Sequence, residues 1–448
     1  MKALLIRPMA RNLVGGFAPI QCEPLELEYL LAACRDEGVI AQIYDAVTEQ
    51  RRLADVLAQF RPDVTAVTGY LTQEEEMLHC AQMAKKVLPD CRVVLGGVHV
   101  QLNYERLKWD AVDILFRSED VRALVRLLLK LEAGEPWDGI SGVCLRTGQG
   151  WKETPYAPCP PDCLPLPDRS GWQANAEHYH YLDLPRIALL KTAFSCPHAC
   201  SFCYGTLLHG GQYQARSVSD VLDELETVEA ENVFIVDSDF LVEEARLRAL
   251  LAGLKERQIR KTFVCYGRAD FIAAHPDLME ELCRAGFLWY LVGIEAVEDQ
   301  RLNGWNKDTS SAVNDACLAV LRRCGANCIA LLIADLSFRT GDFHALYRWV
   351  KERKLRYASV QVLTPLPGTA FYQRWEGKLT ERAFSRFDLT HPVLRPAHMS
   401  EQAFRRRYQL LLIRLYWFGW RRGAYRFATI CYGMKALKRW RRWKKLME

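Results

Sequence analysis

The chain has 448 residues, half of them apolar and a quarter charged, with a formal net charge of +5. That length exceeds one ordinary core and predicts two or three globular domains. No run of about 18 uninterrupted apolar residues appears, which excludes a spanning helix, and the opening MKALLIR reads as a first strand instead of a secretory leader. The sixteen cysteines are then expected as free thiols of a cytoplasmic protein. Most of them, such as Cys34, Cys80, Cys283, Cys317 and Cys324, fall in apolar helical patterns as small core residues.

Residues 1–135 alternate β-rich runs (KALLIR, IAQIYDA, DVTAVTG, CRVVLGG, VDILFR) with helical patterns around 25–36, 53–60, 74–87 and 121–132. This alternation predicts right-handed crossovers and a doubly wound, Rossmann-like parallel sheet. In such a sheet ligands sit at the carboxyl ends of the strands. Gly69 follows the third strand there, and Gly96 and Gly97 follow the fourth. These glycines admit a phosphate or a bulky ring close to the backbone, or they serve ordinary turns. The dinucleotide fingerprint Gly-x-Gly-x-x-Gly is absent.

Residues 136–185 are expected as a Pro-rich linker, with six prolines in ETPYAPCPPDCLPLPD. Cys159 and Cys163 lie inside it, as a metal pair or as plain thiols. From 186 to 375 a second βα series places strands at 187–194, 232–237, 262–266, 289–294, 328–334 and 358–363. Six such units in so short a span predict a partial (β/α)6 barrel, with its active site at the strand carboxyl ends. The loop CPHACSFCYG stands at the end of the first of these strands.

Cys196, Cys200 and Cys203 follow the pattern C-x-x-x-C-x-x-C. Structural zinc takes four protein ligands, whereas a cubane iron–sulfur cluster can leave one iron open to a non-protein ligand. His198, between two of the cysteines, either ligates or projects outward. The loop, with Phe202 immediately before the third cysteine, resembles that of the radical S-adenosylmethionine (SAM) superfamily. The resemblance implies a [4Fe-4S] cluster whose open iron is chelated by SAM, and reductive cleavage of SAM to a 5′-deoxyadenosyl radical that abstracts hydrogen from an unactivated carbon. It also implies roles at successive strand ends. In NVFIVDSDF, Asp237 and Asp239 would contact the SAM amine. In CYGRADF, Arg268 would hold a carboxylate. In LVGIEAVED, Glu295 would lie near the sugar or amine. In VQVLTPLPGTAFYQRW, Leu363 and Thr364 would flank the adenine. Tyr204, Cys265 and Tyr266 lie near enough in this scheme to meet a radical.

The first domain resembles the cobalamin-binding domain of cobalamin-dependent radical SAM enzymes. The likeness rests on PLELEYLLAACRDEG, on VTGYLTQEEE with Gly69, Tyr70, Leu71 and Thr72, and on VVLGGVHVQLN with Gly96, Gly97 and His99. By that likeness these pieces surround the corrin and its nucleotide tail, with His99 beside the tail. The loop from Pro8 to Glu23 contains no histidine to ligate cobalt from below. This is consistent with weakly ligated methylcobalamin or with a domain that has lost the cofactor.

Residues 376–448 read as a loop, a helix from about Ser400 with that serine as N-cap, and a basic, aromatic end holding Arg421, Arg422, Lys435, Lys438, Trp440 and Trp443. Such an end suits a membrane surface, with peripheral attachment, nucleic acid or plain packing. Without a recognisable RNA-binding module, no nucleic acid is expected. The overall layout resembles the hopanoid methylases and the anaerobic magnesium-protoporphyrin cyclases. The expected function is a cobalamin-dependent radical SAM methyltransferase acting on a small molecule, either lipid or tetrapyrrole-like or another natural product, with an external flavodoxin- or ferredoxin-type electron donor. The alternatives are a radical SAM cyclase or oxidative enzyme and, from another class, a non-catalytic metal- or nucleic-acid-binding protein.

Overall fold

The computed structural model describes residues 1–9, 20–307 and 309–426. The loop expected to lack a cobalt-ligating histidine falls largely outside them, as do Lys435, Lys438, Trp440 and Trp443 of the basic end.

KALLIR forms β1 (Lys2–Arg7), with four consecutive residues buried. Burial on both faces is the signature of a central strand in a parallel sheet. It is joined by β2 (Ile40–Asp45), β3 (Val64–Thr68), β4 (Arg92–Gly96) and β5 (Ile114–Phe116), all parallel. Leu4, Ile6, Val67 and Leu95 pack on one face, against α2 (Leu53–Phe60) and α3 (Glu74–Val87). The intervening residues Ala3, Leu5, Ala66 and Val94 pack on the other, against α1 (Leu25–Asp36) and α5 (Val121–Ala133). The short α4 (Val98–Asn103) follows β4.

The sheet extends beyond residue 135. β6 (Val143–Thr147) and β7 (Gly150–Glu153) form an antiparallel hairpin on its edge, giving the order β2-β1-β3-β4-β5-β6-β7. The expected linker 136–185 therefore begins with two strands of the first sheet, and that sheet is mixed at its edge. The prolines that suggested an extended connection start only at Pro155, so they do not oppose pairing before it.

In the second unit, β8 (Ile187–Leu190), β9 (Asn232–Ile235), β10 (Thr262–Gly267), β11 (Phe287–Glu295), β12 (Asn327–Ala334) and β13 (Tyr357–Val362) pair in that order, all parallel. Among the described residues nothing pairs β13 with β8, so the barrel is partial. Its main outer helices are α6 (Val218–Thr227), α7 (Glu244–Glu256), α8 (Pro276–Arg284), α9 (Ser311–Arg323) and α10 (Thr340–Glu352).

The last described helix, α11 (Glu401–Trp420), starts where the Ser400 side chain accepts a hydrogen bond from the Ala403 amide. It lies on β13 and α10, where Phe404 meets Phe343 and the Tyr408 hydroxyl donates to the Val360 carbonyl. The two units join through a buried polar network. Arg169 reaches Glu23 at 2.5 Å and Glu224 at 2.8 Å, Arg216 reaches Glu224 at 2.7 Å, and Tyr29 donates to Glu224.

Candidate active site at the strand ends

The three-cysteine loop leaves β8 through a short antiparallel pairing of Ala193–Phe194 with Gln214–Ala215, which closes residues 195–213 into one excursion over the barrel mouth. Ser195 opens it in the left-handed region, at φ 60°, a conformation that non-glycine residues hold only when surroundings enforce it. Its carboxyl side is pinned: Ser201 donates its amide to the Trp305 carbonyl, Asn306 donates to the Ala199 carbonyl, and Phe371 donates to the Ser201 carbonyl. Cys196, Cys200 and Cys203 are all half-buried. Burial pushes the Cys196 and Cys203 thiols upward, Cys196 to about 11.

The three sulfurs spread wider than a single ion would hold them. Among the described residues, the one group of three or more His, Cys, Asp or Glu whose ligand atoms all lie within 4.8 Å of one another is elsewhere. Ligands of tetrahedral zinc sit about 3 to 4 Å apart. Three thiols on one loop match in number the protein ligands of a cubane cluster whose fourth iron is open.

The strand-end residues surround this loop, and each is engaged. Asp239 accepts from His198 at 3.0 Å and from the Leu241 amide; burial raises its pKa while His198 opposes the rise. His198 thus points at the end of the second strand. Arg268 clamps Asp270, donates to the Lys307 carbonyl at 2.7 Å and brings Nη1 to 4.0 Å from the Cys200 sulfur. Glu295 stands on a β-bulge at φ 59° and accepts from Lys307 at 2.9 Å. Burial is the largest influence on the Lys307 ammonium and works against it, but Glu295 and Cys200 together outweigh it and its pKa rises. Asp237 is buried under the loop, with its carboxylate taken by the Thr192 amide and hydroxyl and the Ala193 amide. Leu363 and Thr364 follow β13. Leu363 packs with Trp305, Ala296 and Ile333, and Phe202 meets Trp305 edge-on at 5.9 Å. Lys307, Trp305 and Thr192 were not singled out in the sequence. The phrase LNGWNK, soon after the fourth strand, is the only local signal for Lys307 and Trp305, and Thr192 has none.

At the carboxyl edge of the first sheet, Gly69, Tyr70, Leu71 and Thr72 turn from β3 into α3, with Gln73 capping the Tyr70 amide and holding the Pro8 carbonyl. Gly97 has φ 89°, and a Cβ there would lie 2.5 Å from Thr68 Oγ1. A Cβ on Gly96 would meet nothing nearer than 3.8 Å. This edge is a bare backbone cradle of the kind a flat ring approaches closely. His99 is buried beneath it, with Nε2 on Glu74 at 2.9 Å and Nδ1 on Asn103 at 3.3 Å. With both nitrogens occupied, it offers cobalt nothing. Tyr70 is 54% exposed and lies within electrostatic reach of Tyr204, next to Cys203. Tyr266 lies within reach of both Tyr204 and Cys203, and burial pushes Tyr204 to about 12. Cys265, by contrast, is wholly buried in the barrel core.

Comparison with known proteins matches residues 12–128 to the B12 binding domain and residues 190–337 to the radical SAM superfamily. The chain is a cobalamin-binding radical SAM enzyme. It is 25% identical over 401 residues to the hopanoid C-3 methylase of Methylococcus capsulatus, covering 88% of this chain and 76% of that protein. It is 25% identical over 419 residues to the anaerobic magnesium-protoporphyrin IX monomethyl ester cyclase of Cereibacter sphaeroides, covering 88% and 67%. Among solved structures, the radical SAM methyltransferase TsrM from Kitasatospora setae, with cobalamin and a [4Fe-4S] cluster bound, superposes with a TM-score of 0.67 at 17% identity, over 91% of this chain and 85% of that one. The cobalamin-dependent radical enzyme OxsB superposes with a TM-score of 0.66 at 16% identity; this chain covers 56% of it. The cofactors of this cobalamin-binding radical SAM enzyme are a [4Fe-4S] cluster, SAM and cobalamin, and its domains and neighbours group it with the cobalamin-dependent radical SAM methyltransferases.

Proposed function

We propose that this cobalamin-dependent radical SAM methyltransferase methylates an unactivated carbon of a hydrophobic, polycyclic small molecule of the lipid or tetrapyrrole kind. One observation carries the reading: α4 (Val98–Asn103), directly after Gly97 at the strand edge of the cobalamin domain, packs against residues 205–211, directly after Cys203 and Tyr204. On this reading the two cofactor sites open on one space, with Tyr70 and Tyr204 toward it, where a substrate meets both. When bound, the cluster and SAM supply a hydrogen-abstracting radical, and methylcobalamin supplies the methyl group.

The chain's own residues bind and orient. Cys196, Cys200 and Cys203 hold the cluster and leave one iron to SAM. The Asp239–His198 pair and the Glu295–Lys307 pair flank the loop and set the positions of SAM's amine and sugar, while Arg268 carries the charge that meets its carboxylate. Phe202, Trp305 and Leu363, with the Thr364 backbone, form the apolar seat for adenine. Asp237 is a positioning residue, since its oxygens fix the loop's root at Thr192 and Ala193. Gly69, Leu71, Thr72, Gly96 and Gly97 admit the corrin and its tail, and His99 props the cradle through Glu74.

The substrate class rests on relatives named for hopanoids, magnesium-protoporphyrin and bacteriochlorophyllide. An apolar stripe on α11 gives independent support. Leu410, Ile413, Trp417 and Trp420 are all exposed, and Trp417 stacks on Trp420. Among the described residues no helix is long and apolar enough to cross a membrane, so the stripe suits shallow contact with a lipid surface. A flavodoxin- or ferredoxin-type donor would reduce the cluster.

The test is anaerobic turnover with labelled SAM and host lipid and pigment extracts. Methylation predicts 5′-deoxyadenosine and S-adenosylhomocysteine formed together, with label in a product carbon. Deoxyadenosine without the homocysteine would replace this reading with a cyclase-type or oxidative reaction.

A further inference from the structure

Glu119, Cys159 and His209 come from three distant stretches of chain, yet their ligand atoms all lie within 4.8 Å of one another. Glu119 belongs to the turn after β5, Cys159 to the proline-rich connection, and His209 to the same excursion that carries the three cluster cysteines. The Cys163 sulfur lies 2.8 Å from that of Cys159 but outside this group, as a neighbour of the three and not a fourth member.

His209 supplies the deciding detail. Its side chain is fully buried, stacked on Phe194 at 4.7 Å and held at φ 55°, in the left-handed region. Its Nε2 faces Gln214 Oε1 at 3.2 Å. A carbonyl oxygen only accepts, so Nε2 carries a proton, and in the neutral ring Nδ1 then carries the lone pair. Nδ1 points at the Glu119 carboxylate, 3.4 Å away, and makes no hydrogen bond. A buried nitrogen facing a carboxylate in this way calls for positive charge between them, a proton or a metal ion. A ligating imidazole whose other nitrogen donates to an amide or carboxylate has just this arrangement. The Tyr156 hydroxyl donates to Glu119 Oε2 at 2.9 Å and orients the carboxylate in the same way.

We infer that Glu119, Cys159 and His209 form a second metal site, for a single zinc-class divalent ion, that ties the cluster-bearing loop to the first domain. One sulfur, one imidazole and one carboxylate are three standard zinc donors and leave the fourth position of the ion to water. Binding releases the Cys159 thiol proton to solvent. The resulting site is neutral by formal count, and the Lys191 ammonium lies within electrostatic reach of both Glu119 and Cys159. The ion would close the loop at His209, six positions after Cys203, so the cluster's seat and the cobalamin domain move as one body.

The experiment weighs metal in the anaerobically purified full-length holoenzyme. About one zinc per chain is expected beside the cluster iron. C159S/H209A is expected to lose the zinc and retain most of its iron, whereas C196A/C200A/C203A loses iron and keeps zinc. Q214L, which leaves all three ligands in place, weakens zinc about 10- to 100-fold in a chelator competition. Should C159S/H209A fail to fold, cobalt(II) titration of the cluster-free full chain is expected to give a thiolate-to-cobalt charge-transfer band. Zinc retained in C159S/H209A, no band with cobalt, or a mass loss of two hydrogens on the peptide linking Cys159 to Cys163, marking a disulfide, would each overturn the assignment.

Discussion

His198 Nε2 lies 3.0 Å from Asp239 Oδ2, which fastens the middle of the three-cysteine loop to the end of the second barrel strand. The carboxylate is buried and the imidazole two-thirds buried, so the pair is a charge-assisted contact in partial shelter, worth about 1.5–3 kcal/mol. Asp239→Ala is expected to weaken SAM binding roughly tenfold or more and to lower retained iron, because the loop loses its middle anchor. His198→Ala should do nearly the same, and the double variant should add little. Equilibrium dialysis of SAM with iron analysis checks this; additive losses would mean that the two residues act separately.

Gly293 is needed for the Glu295–Lys307 pair. A Cβ at Gly293 would fall 2.4 Å from Glu295 Oε1 and 2.6 Å from Lys307 Nζ, closer than side-chain atoms approach. Gly293→Ala is therefore expected to displace that pair and cost SAM affinity while the barrel still folds. Lys307→Met should be worse, since it strands a buried carboxylate at a cost of about 3–5 kcal/mol. Thermal unfolding separates the two, with a small shift for the first and a large one for the second.

The layout was legible because both halves write their period plainly. KALLIR and VTAVT are apolar on both faces, as parallel strands must be, and the three cysteines are contiguous enough to be seen as a unit. What escaped is what long-range pairing decides. Asp237 reads in sequence as a free strand-end carboxylate, but Thr192, 45 positions earlier, already occupies it. Lys307 gains its meaning only when the chain returns to Glu295. His209 is an unremarkable loop histidine until Glu119 and Cys159 arrive from two other segments. The hairpin at 143–153 was overshadowed by the prolines that follow it.

The junction network should depend on pH. Burial, and then the Glu23 charge, raise the Glu28 carboxyl well above its ordinary range. A carboxyl whose folded pKa is raised contributes stability below its unfolded value and loses it as pH climbs toward the folded one. Glu28→Gln should therefore flatten the fall in stability with rising pH and leave neutral-pH stability unchanged or higher. Arg169→Met should instead cost about 3–5 kcal/mol by leaving Glu23 buried without its ion-pair partner, while Glu224 keeps Arg216. Denaturant unfolding at about pH 5 and about pH 8 tests both; a steeper slope in Glu28→Gln would refute the first.

Corrin binding should be separable from the cluster. Gly97 sits at φ 89° with Thr68 Oγ1 and the Gly69 backbone against its missing side chain. Gly97→Val is expected to reduce bound cobalamin at least about tenfold through lost close approach and backbone strain. Iron and SAM cleavage should survive, since Gly97 lies in the other domain. Corrin absorbance against iron content gives the readout, and equal loss of both would point to general misfolding.

The exposed stripe on α11 makes the last prediction. Leu410, Ile413, Trp417 and Trp420 recur at intervals of three and four along one side of the helix, while Phe404, Tyr408, Leu411 and Leu415 face the barrel. An amphipathic helix usually has one apolar face; this one has two, and only one is covered. Arg406, Arg414, Arg421 and Arg422 are also exposed along it, each worth about 1 kcal/mol near anionic lipid. Ile413→Glu with Trp417→Glu should reduce co-sedimentation with anionic vesicles about tenfold or more, and leave the melting temperature nearly unchanged because neither side chain supports the barrel. Binding that persists in the double variant would assign membrane contact to residues beyond Arg426, and binding to neutral vesicles of equal strength would remove the arginines from the argument.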